Sequence, residues 1–242
     1  MGTAPTSKYG QKPSRIANRL LEQLSGDDYD TLAPLLVPID LKLKHVLILP
    51  GELITDVFFP TTAVISALVA LEEGSEVETG ITGAEGLVGL AITLGLESES
   101  QRSICQVPGR VFSVPARAFR KAIERSRPMD SMVRKYAGFM LRQTGQGMAC
   151  NARHPVHERL SRWLLMSHDR VGLDKFPMTH EFMGALLGVR RQSVTLAAGV
   201  LQAAGLITVG RGTIRVLDRV RLEEAACECY AVMRALYTEI FP

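Results

Sequence analysis

No stretch of this 242-residue sequence approaches the ~18 consecutive apolar residues that a helix spanning a bilayer needs. The opening MGTAPTSKYGQKPSR has no apolar core for a secretion signal. Its glycines and prolines suggest a disordered leader over residues 1–14, and a cytoplasmic location is expected. Cysteine is sparse: Cys105, Cys150, Cys227 and Cys229 are scattered, which fits a reducing compartment and not a disulfide framework. Cys227 and Cys229 stand two apart on one predicted helix, so they are expected to point to different faces. With no second pair nearby, no metal site is expected, and no cofactor. Cys150, near His154 and His157, reads as part of a helix surface at an interdomain corner. His45 is the only histidine among residues 1–150, which excludes a three-histidine metal site on strands. No convincing nucleophile motif is present either, so the chain is not expected to be an enzyme.

The net charge of +3 is small, but its distribution is uneven. Residues 1–150 carry equal numbers of basic and acidic side chains, whereas residues 151–221 carry 11 Lys+Arg against 5 Asp+Glu. That basic segment holds the most informative stretch, THEFMGALLGVRRQSVTLAAGVLQAAGLI (179–207). Phe182, Met183, Leu186 and Leu187 mark one helical face; Val194, Ala197, Ala198 and Leu201 mark the next. Gly188 between them can take the positive φ that ends a helix, and Val189 plugs the corner. Gly184 offers no side chain where the second helix must cross closely. This is a helix-turn-helix pattern.

The second helix opens with Arg190, Arg191, Gln192 and Ser193, followed by Thr195. Cations are unfavourable at a helix N-terminus, and a phosphate backbone or base edge would offset that cost. Arg191 suits guanine O6 and N7, and Gln192 suits adenine. The following residues predict a β-hairpin wing. Leu206, Ile207 and Val209 form one strand, Gly210-Arg211-Gly212 a turn, and Ile214, Val216 and Leu217 the return, with Arg211 and Arg215 able to lie along phosphates.

Upstream, the periodicity predicts helices over 15–24 and 26–36, with a cap at Ser25 and Asp28. Seven short strands follow, over 46–49, 53–59, 63–71, 76–82, 87–94, 103–107 and 110–114, separated by glycine and proline turns. They suggest a small barrel or jelly roll. After a helix over 116–124, a long helix runs from Met129 to about Asn151 with an apolar seam through Met132, Val133, Tyr136, Phe139 and Met140. The seam serves either a dimer axis, the expected reading, or an intramolecular core. Gly138, Gly145 and Gly147 fit close approach of a partner backbone, or a helix loosely formed in one of two states. A single last helix is predicted over 222–240.

This order resembles the Crp/Fnr family of bacterial transcription regulators. The resemblance covers roughly residues 20–220, most specifically VLILPGELITDVFFP (46–60), GAEGLVG (83–89), CNARHPVHERLSRWLLMSHDR (150–170) and the 179–207 unit. It implies an α+β fold in four parts. These are the leader (1–14), a double-stranded jelly-roll-like β-roll effector domain (15–127), a long dimerisation helix (128–151) and a winged helix-turn-helix domain with a C-terminal helix (152–242). It also implies a homodimer on a two-fold site in double-stranded DNA, with RNA polymerase as a further partner. By position, Thr179 and His180 would touch phosphate, and Arg191, Gln192 and Leu196 would read bases. Ser193 and Thr195 would add hydrogen bonds. Cyclic-nucleotide binders of the family place Gly-Glu ahead of an Arg-Ser pair. Here Gly89 is followed by Leu90, while Arg102-Ser103 survives as half of an effector site, so a cyclic nucleotide is not expected. The alternative is a regulatory module of the nucleotide-sensing kind that does not bind DNA; such a module has no use for Arg190–Ser193 after a glycine corner.

Overall fold

The structure is a computed structural model that describes residues 15–241; the expected leader lies outside the described residues. Asn18 starts α1 (Arg19–Glu22). Its side-chain oxygen accepts from the Leu20 and Leu21 amides, and its Nδ2 donates to the Pro60 and Gly86 carbonyls, both at 2.9 Å. One buried amide thus caps the helix and fastens it to the sheets. Ser25 caps α2 (Gly26–Leu32) as expected, accepting from the Asp28 amide.

The strands are β1 (Val37–Leu41), β2 (Val46–Ile48), β3 (Asp56–Pro60), β4 (Val64–Ala70), β5 (Glu76–Thr82), β6 (Arg102–Val107) and β7 (Gly109–Pro115). They form two antiparallel sheets, ordered β1-β7-β3 and β2-β6-β4-β5. Two elements differ from expectation. Pro38 and Asp40 hide β1 from a propensity reading, yet β1 is an edge strand, where a missing amide donor costs little. The strand expected over 87–94 is instead a short 3-10 turn (Leu90–Leu94), set between Gly89 at φ 92° and Gly95 at φ 85°. Left-handed backbone at both ends leaves only one isolated bridge, Phe58 to Val88, in place of a strand.

Helix α3 (Ala116–Arg125) leads to α4 (Arg127–Arg153), which Ser126 caps through the Met129 amide. The first half of α4 lids the β-roll. Val133, Tyr136 and Phe139 are buried in one core with Leu20, Phe59 and Phe119, and Met132 and Met140 pack against it. Of the five residues expected at a dimer interface, Val133, Tyr136 and Phe139 are therefore buried within the chain itself, and Met132 and Met140 are half-buried against the same core. An apolar stripe reports that a face is covered, and here the intramolecular cover uses it. The side chains that α4 leaves outward are others, notably Leu141 and Met148, 76% and 69% exposed.

The C-terminal part comprises α5 (Val156–Val171), β8 (Lys175–Pro177), α6 (His180–Leu187), α7 (Arg191–Ala203), β9 (Ile207–Gly210), β10 (Thr213–Val216), α8 (Arg219–Glu224) and α9 (Cys229–Ile240), with a sheet ordered β8-β10-β9. The single last helix expected over 222–240 is two. Asp218 caps α8 through the Arg221 amide, so that helix starts early and ends before Cys227. Helix α9 bridges both cores, Tyr230 and Met233 joining the helix-turn-helix and Leu236 the β-roll.

The two parts are packed together. Trp163 donates from Nε1 to Glu78 Oε1 (2.9 Å), Gln106 to Ser167 Oγ (3.1 Å), and Arg170 to Glu85 (2.7 Å). A Cβ added at Gly188 would lie 3.2 Å from Val77 of β5.

Candidate nucleic-acid interface

Local chemistry sets the angle between α6 and α7. Thr179 caps α6 by accepting from the Phe182 amide (3.1 Å), and Gly188 ends it in the left-handed region at φ 61°. The Val189 amide then closes on the Gly184 carbonyl (2.9 Å), and a Cβ at Gly184 would stand 2.9 Å from the Val189 carbonyl. The glycine at 184 is what lets the corner pass so near. The buried Arg159 of α5 donates to the Leu187 carbonyl, one of the acceptors that a helix C-terminus leaves open. Met183, Leu187, Val194 and Ala198 fill the space between the helices.

On α7 the opposite face is outward. Arg191, Gln192, Thr195 and Leu196 are exposed, Arg190 is exposed just ahead of the helix, and Ser193 is half-buried. Val200, one turn beyond Leu196, shares this face and was missed in the sequence because apolar residues are read as core. The hydroxyl of Thr195 donates to the Arg191 carbonyl (3.0 Å), which leaves it to accept from His180 Nδ1 at 3.1 Å. Thr195 thus uses its proton on the backbone and its oxygen on His180, whose Nε2 has no partner among the described residues, while the Thr179 hydroxyl accepts at its cap and keeps its own proton to donate. The side chains of Arg190, Arg191 and Gln192 make no hydrogen bond or ion pair among the described residues.

The wing forms as expected. Arg211 sits in the turn before Gly212 (φ 71°), and Arg215 lies exposed on β10. Register places Arg215 beside Thr208 on β9 and Lys175 on β8. Lys175 was not legible in the sequence, since a three-residue strand carries no periodicity. Like charges opposite one another are unfavourable in isolation, so this pair suits an anionic partner.

Arg102 and Ser103, expected together at an effector site, do not converge. Arg102 is held by Glu76 across the sheet at 2.5 Å, whereas Ser103 lines a cavity of about 590 Å³ between the β-roll and α4. Strand alternation sends neighbours to opposite faces. The cavity wall is mostly apolar, including Leu87, Leu90, Leu94, Ala137 and Met140, with Glu99 its acidic group. Burial raises the Glu99 carboxyl above its ordinary value, against a hydrogen bond from the Ala91 amide.

A second correction concerns the cysteines. Cys227 lies in the break between α8 and α9, outside any helix, so it does not diverge from Cys229. Cys150, His154, Cys227 and Cys229 come together, one side-chain S or N atom of each lying within 4.8 Å of the others. A hydrogen bond from Cys227, against burial, lowers the Cys150 thiol below its ordinary value and pushes Cys227 up.

A family model described as the Crp-like helix-turn-helix domain matches residues 158–225. The chain carries a Crp-like helix-turn-helix domain. Around this Crp-like domain, the described residues share the fold of solved Crp/Fnr-family structures. It is similar to a transcriptional regulator of that family from Eubacterium rectale at 18% identity and TM-score 0.67, over 85% of this chain and 96% of that one. It is similar to FixK2 from Bradyrhizobium japonicum at 18% identity and TM-score 0.68, over 79% and 98%. A CRP-family transcriptional regulator from Thermus thermophilus gives 18% identity and TM-score 0.65, over 78% and 96%. No curated protein matches by sequence. No helix among the described residues is long and apolar enough to cross a membrane.

Proposed function

We propose that this Crp/Fnr-type transcription regulator binds a two-fold DNA site as a homodimer. The N-terminal end of α7 from each subunit would enter a major groove. The observation that carries this reading is a trio of unpaired, exposed side chains, Arg190, Arg191 and Gln192, held outward by the left-handed corner at Gly188. Arg191 and Gln192 are the base readers, with Leu196 and Val200 offering apolar contact to thymine methyls. Arg211, Arg215 and Lys175 follow the phosphates, and Ser193 adds a hydrogen bond. Thr195 and His180 brace the two helices and orient the readers. Thr179 turns the N-terminal end of α6 toward the backbone.

Dimerisation would use the second half of α4. Leu141 and Met148 are outward there, and Cβ atoms added at Gly138, Gly145 and Gly147 would meet nothing within 4 Å. Each helical glycine costs ~1 kcal/mol, which a partner helix at close range offsets. Paired α4 helices would also border the apolar cavity, and an effector of mainly apolar character suits its wall. A cyclic nucleotide does not, with Arg102 engaged by Glu76. RNA polymerase is the expected downstream partner.

Arg191→Ala is expected to weaken the preferred site by ~1–3 kcal/mol and to relax specificity at one base pair. Binding measured on a panel of single-base variants of the site checks this, and equal weakening on every sequence would remove Arg191 from base reading. Arg211→Ala and Arg215→Ala are each expected to lower the magnitude of the salt slope of binding by about one. A slope unchanged between low and moderate salt would take them off the phosphates.

A further inference from the structure

We propose that Cys150, His154, Cys227 and Cys229 form a four-coordinate zinc site. Cys150 is in the last turn of α4 and His154 is the residue that ends that helix; Cys227 stands between α8 and α9, and Cys229 opens α9. Four donors from two distant parts of the sequence thus meet at one point.

Their spacing fits a single tetrahedral ion. Zinc–sulfur bonds of ~2.3 Å and zinc–nitrogen bonds of ~2.0–2.1 Å give tetrahedral edges of about 3.8 Å between sulfurs and about 3.6 Å from sulfur to nitrogen. Cys150 Sγ lies 3.5 Å from Cys227 Sγ, and Cys229 Sγ lies 3.6 Å from His154 Nδ1. An iron–sulfur cluster distributes its thiolates over several irons and needs them farther apart.

The surroundings fit an ion as well as the ligands do. The three buried thiols pack on one another, apart from the aliphatic cores. His154 directs Nδ1 at the thiols while Nε2 meets the Glu228 carboxylate at 3.1 Å, the pairing that fixes the tautomer of a metal-bound imidazole. Gln146 Nε2 reaches Cys229 Sγ at 3.1 Å, a donor placed for a thiolate. Three thiolates around Zn²⁺ carry one net negative charge. The buried Arg159 and Arg162, each with an unpartnered Nε, lie near enough to act on Cys150 and offset it. A Cys150–Cys227 disulfide would use two of the four donors and leave the imidazole, its carboxylate and Gln146 without purpose.

Four protein ligands close the coordination sphere, which makes the site structural. On binding, the thiol protons leave to solvent and the imidazole binds neutral. The ion would tie the end of α4 to the start of α9 across the corner where the chain enters the DNA-binding domain.

The test uses the full-length protein under reducing conditions. Metal analysis after purification without chelator is expected to give about one zinc per chain. Metal-free wild-type protein titrated with Co²⁺ is expected to show thiolate charge-transfer and tetrahedral d–d bands at one equivalent, lost on adding Zn²⁺. Cys227→Ser and His154→Ala are expected to lose most of the bound zinc and to alter those bands, whereas Cys105→Ala, outside the cluster, retains both. Absence of tetrahedral bands in reduced wild-type protein would overturn the proposal, and so would metal content unchanged in Cys227→Ser. A metal-free Cys150–Cys227 disulfide in protein purified without reductant, with no Co²⁺ uptake after its reduction, would overturn it too. The wild-type titration does not depend on any variant folding.

Discussion

Arg170→Ala is expected to destabilise the fold by about 3–5 kcal/mol and to loosen the DNA-binding domain from the β-roll. Arg170 leaves α5 to meet Glu85 of the β-roll at 2.7 Å, with side chains only 9% and 4% exposed. It also donates to the Met166 carbonyl (3.0 Å) and to Gln143 Oε1 (3.3 Å), so one guanidinium serves α5, α4 and the β-roll. Its removal strands a buried carboxylate whose only other donor among the described residues is the Gly83 amide. Replacing both partners, Arg170→Met with Glu85→Leu, is expected to recover most of the loss, because the penalty arises from the uncompensated charge more than from the lost attraction. Urea unfolding of the single and double variants checks this. A loss in Arg170→Ala no larger than that from cutting the exposed Arg134–Asp130 pair would show that the buried bridge does not hold the domains together.

At the same interface, Glu78→Gln is expected to act in the opposite direction. Burial drives the Glu78 carboxyl up from 4.5 to about 7, and the hydrogen bond from Trp163 with the charges of Arg162 and Arg170 only partly resists. Its Oε2 has no partner. An unfolded chain releases this proton near 4.5, while the folded chain keeps it to about 7. The stabilising contribution is therefore complete below the unfolded value and is lost as pH rises through the folded one. That gap corresponds to about 3 kcal/mol. Glutamine keeps an acceptor for Trp163 and carries no charge, so the variant should exceed the wild type in stability by about that amount at pH 8, the difference fading toward pH 4.5. Thermal unfolding of both proteins across this range is the measurement. A gain independent of pH would mean that packing, and not the proton, separates them.

The helix-turn-helix was legible because each of its signals acts within a few residues. Gly184 and Gly188 have backbone reasons that no distant contact overrides, and the α7 arginines stand beside them in the sequence. The turns of the β-roll were legible for the same cause. What failed depended on pairing at a distance. Arg102 reads as an anion ligand until the sheet order β6-β4-β5 brings Glu76 within reach. The stripe from Met132 to Met140 shows an apolar face without saying what covers it. The convergence of Cys227 and Cys229 turns on a helix break that follows the Asp218 cap nine residues upstream of Cys227, and their partners lie 73 residues or more upstream of Cys227.

The contact of Gly188 with Val77 has a mechanical consequence. Two residues separate that glycine from Arg191, so the exposed end of α7 is mounted on the body that holds the cavity and not suspended beyond it. A displacement of the β4–β5 hairpin would then press on the corner that carries α7. Were two subunits to pair as proposed, the distance between their α7 ends would gauge how that hairpin lies.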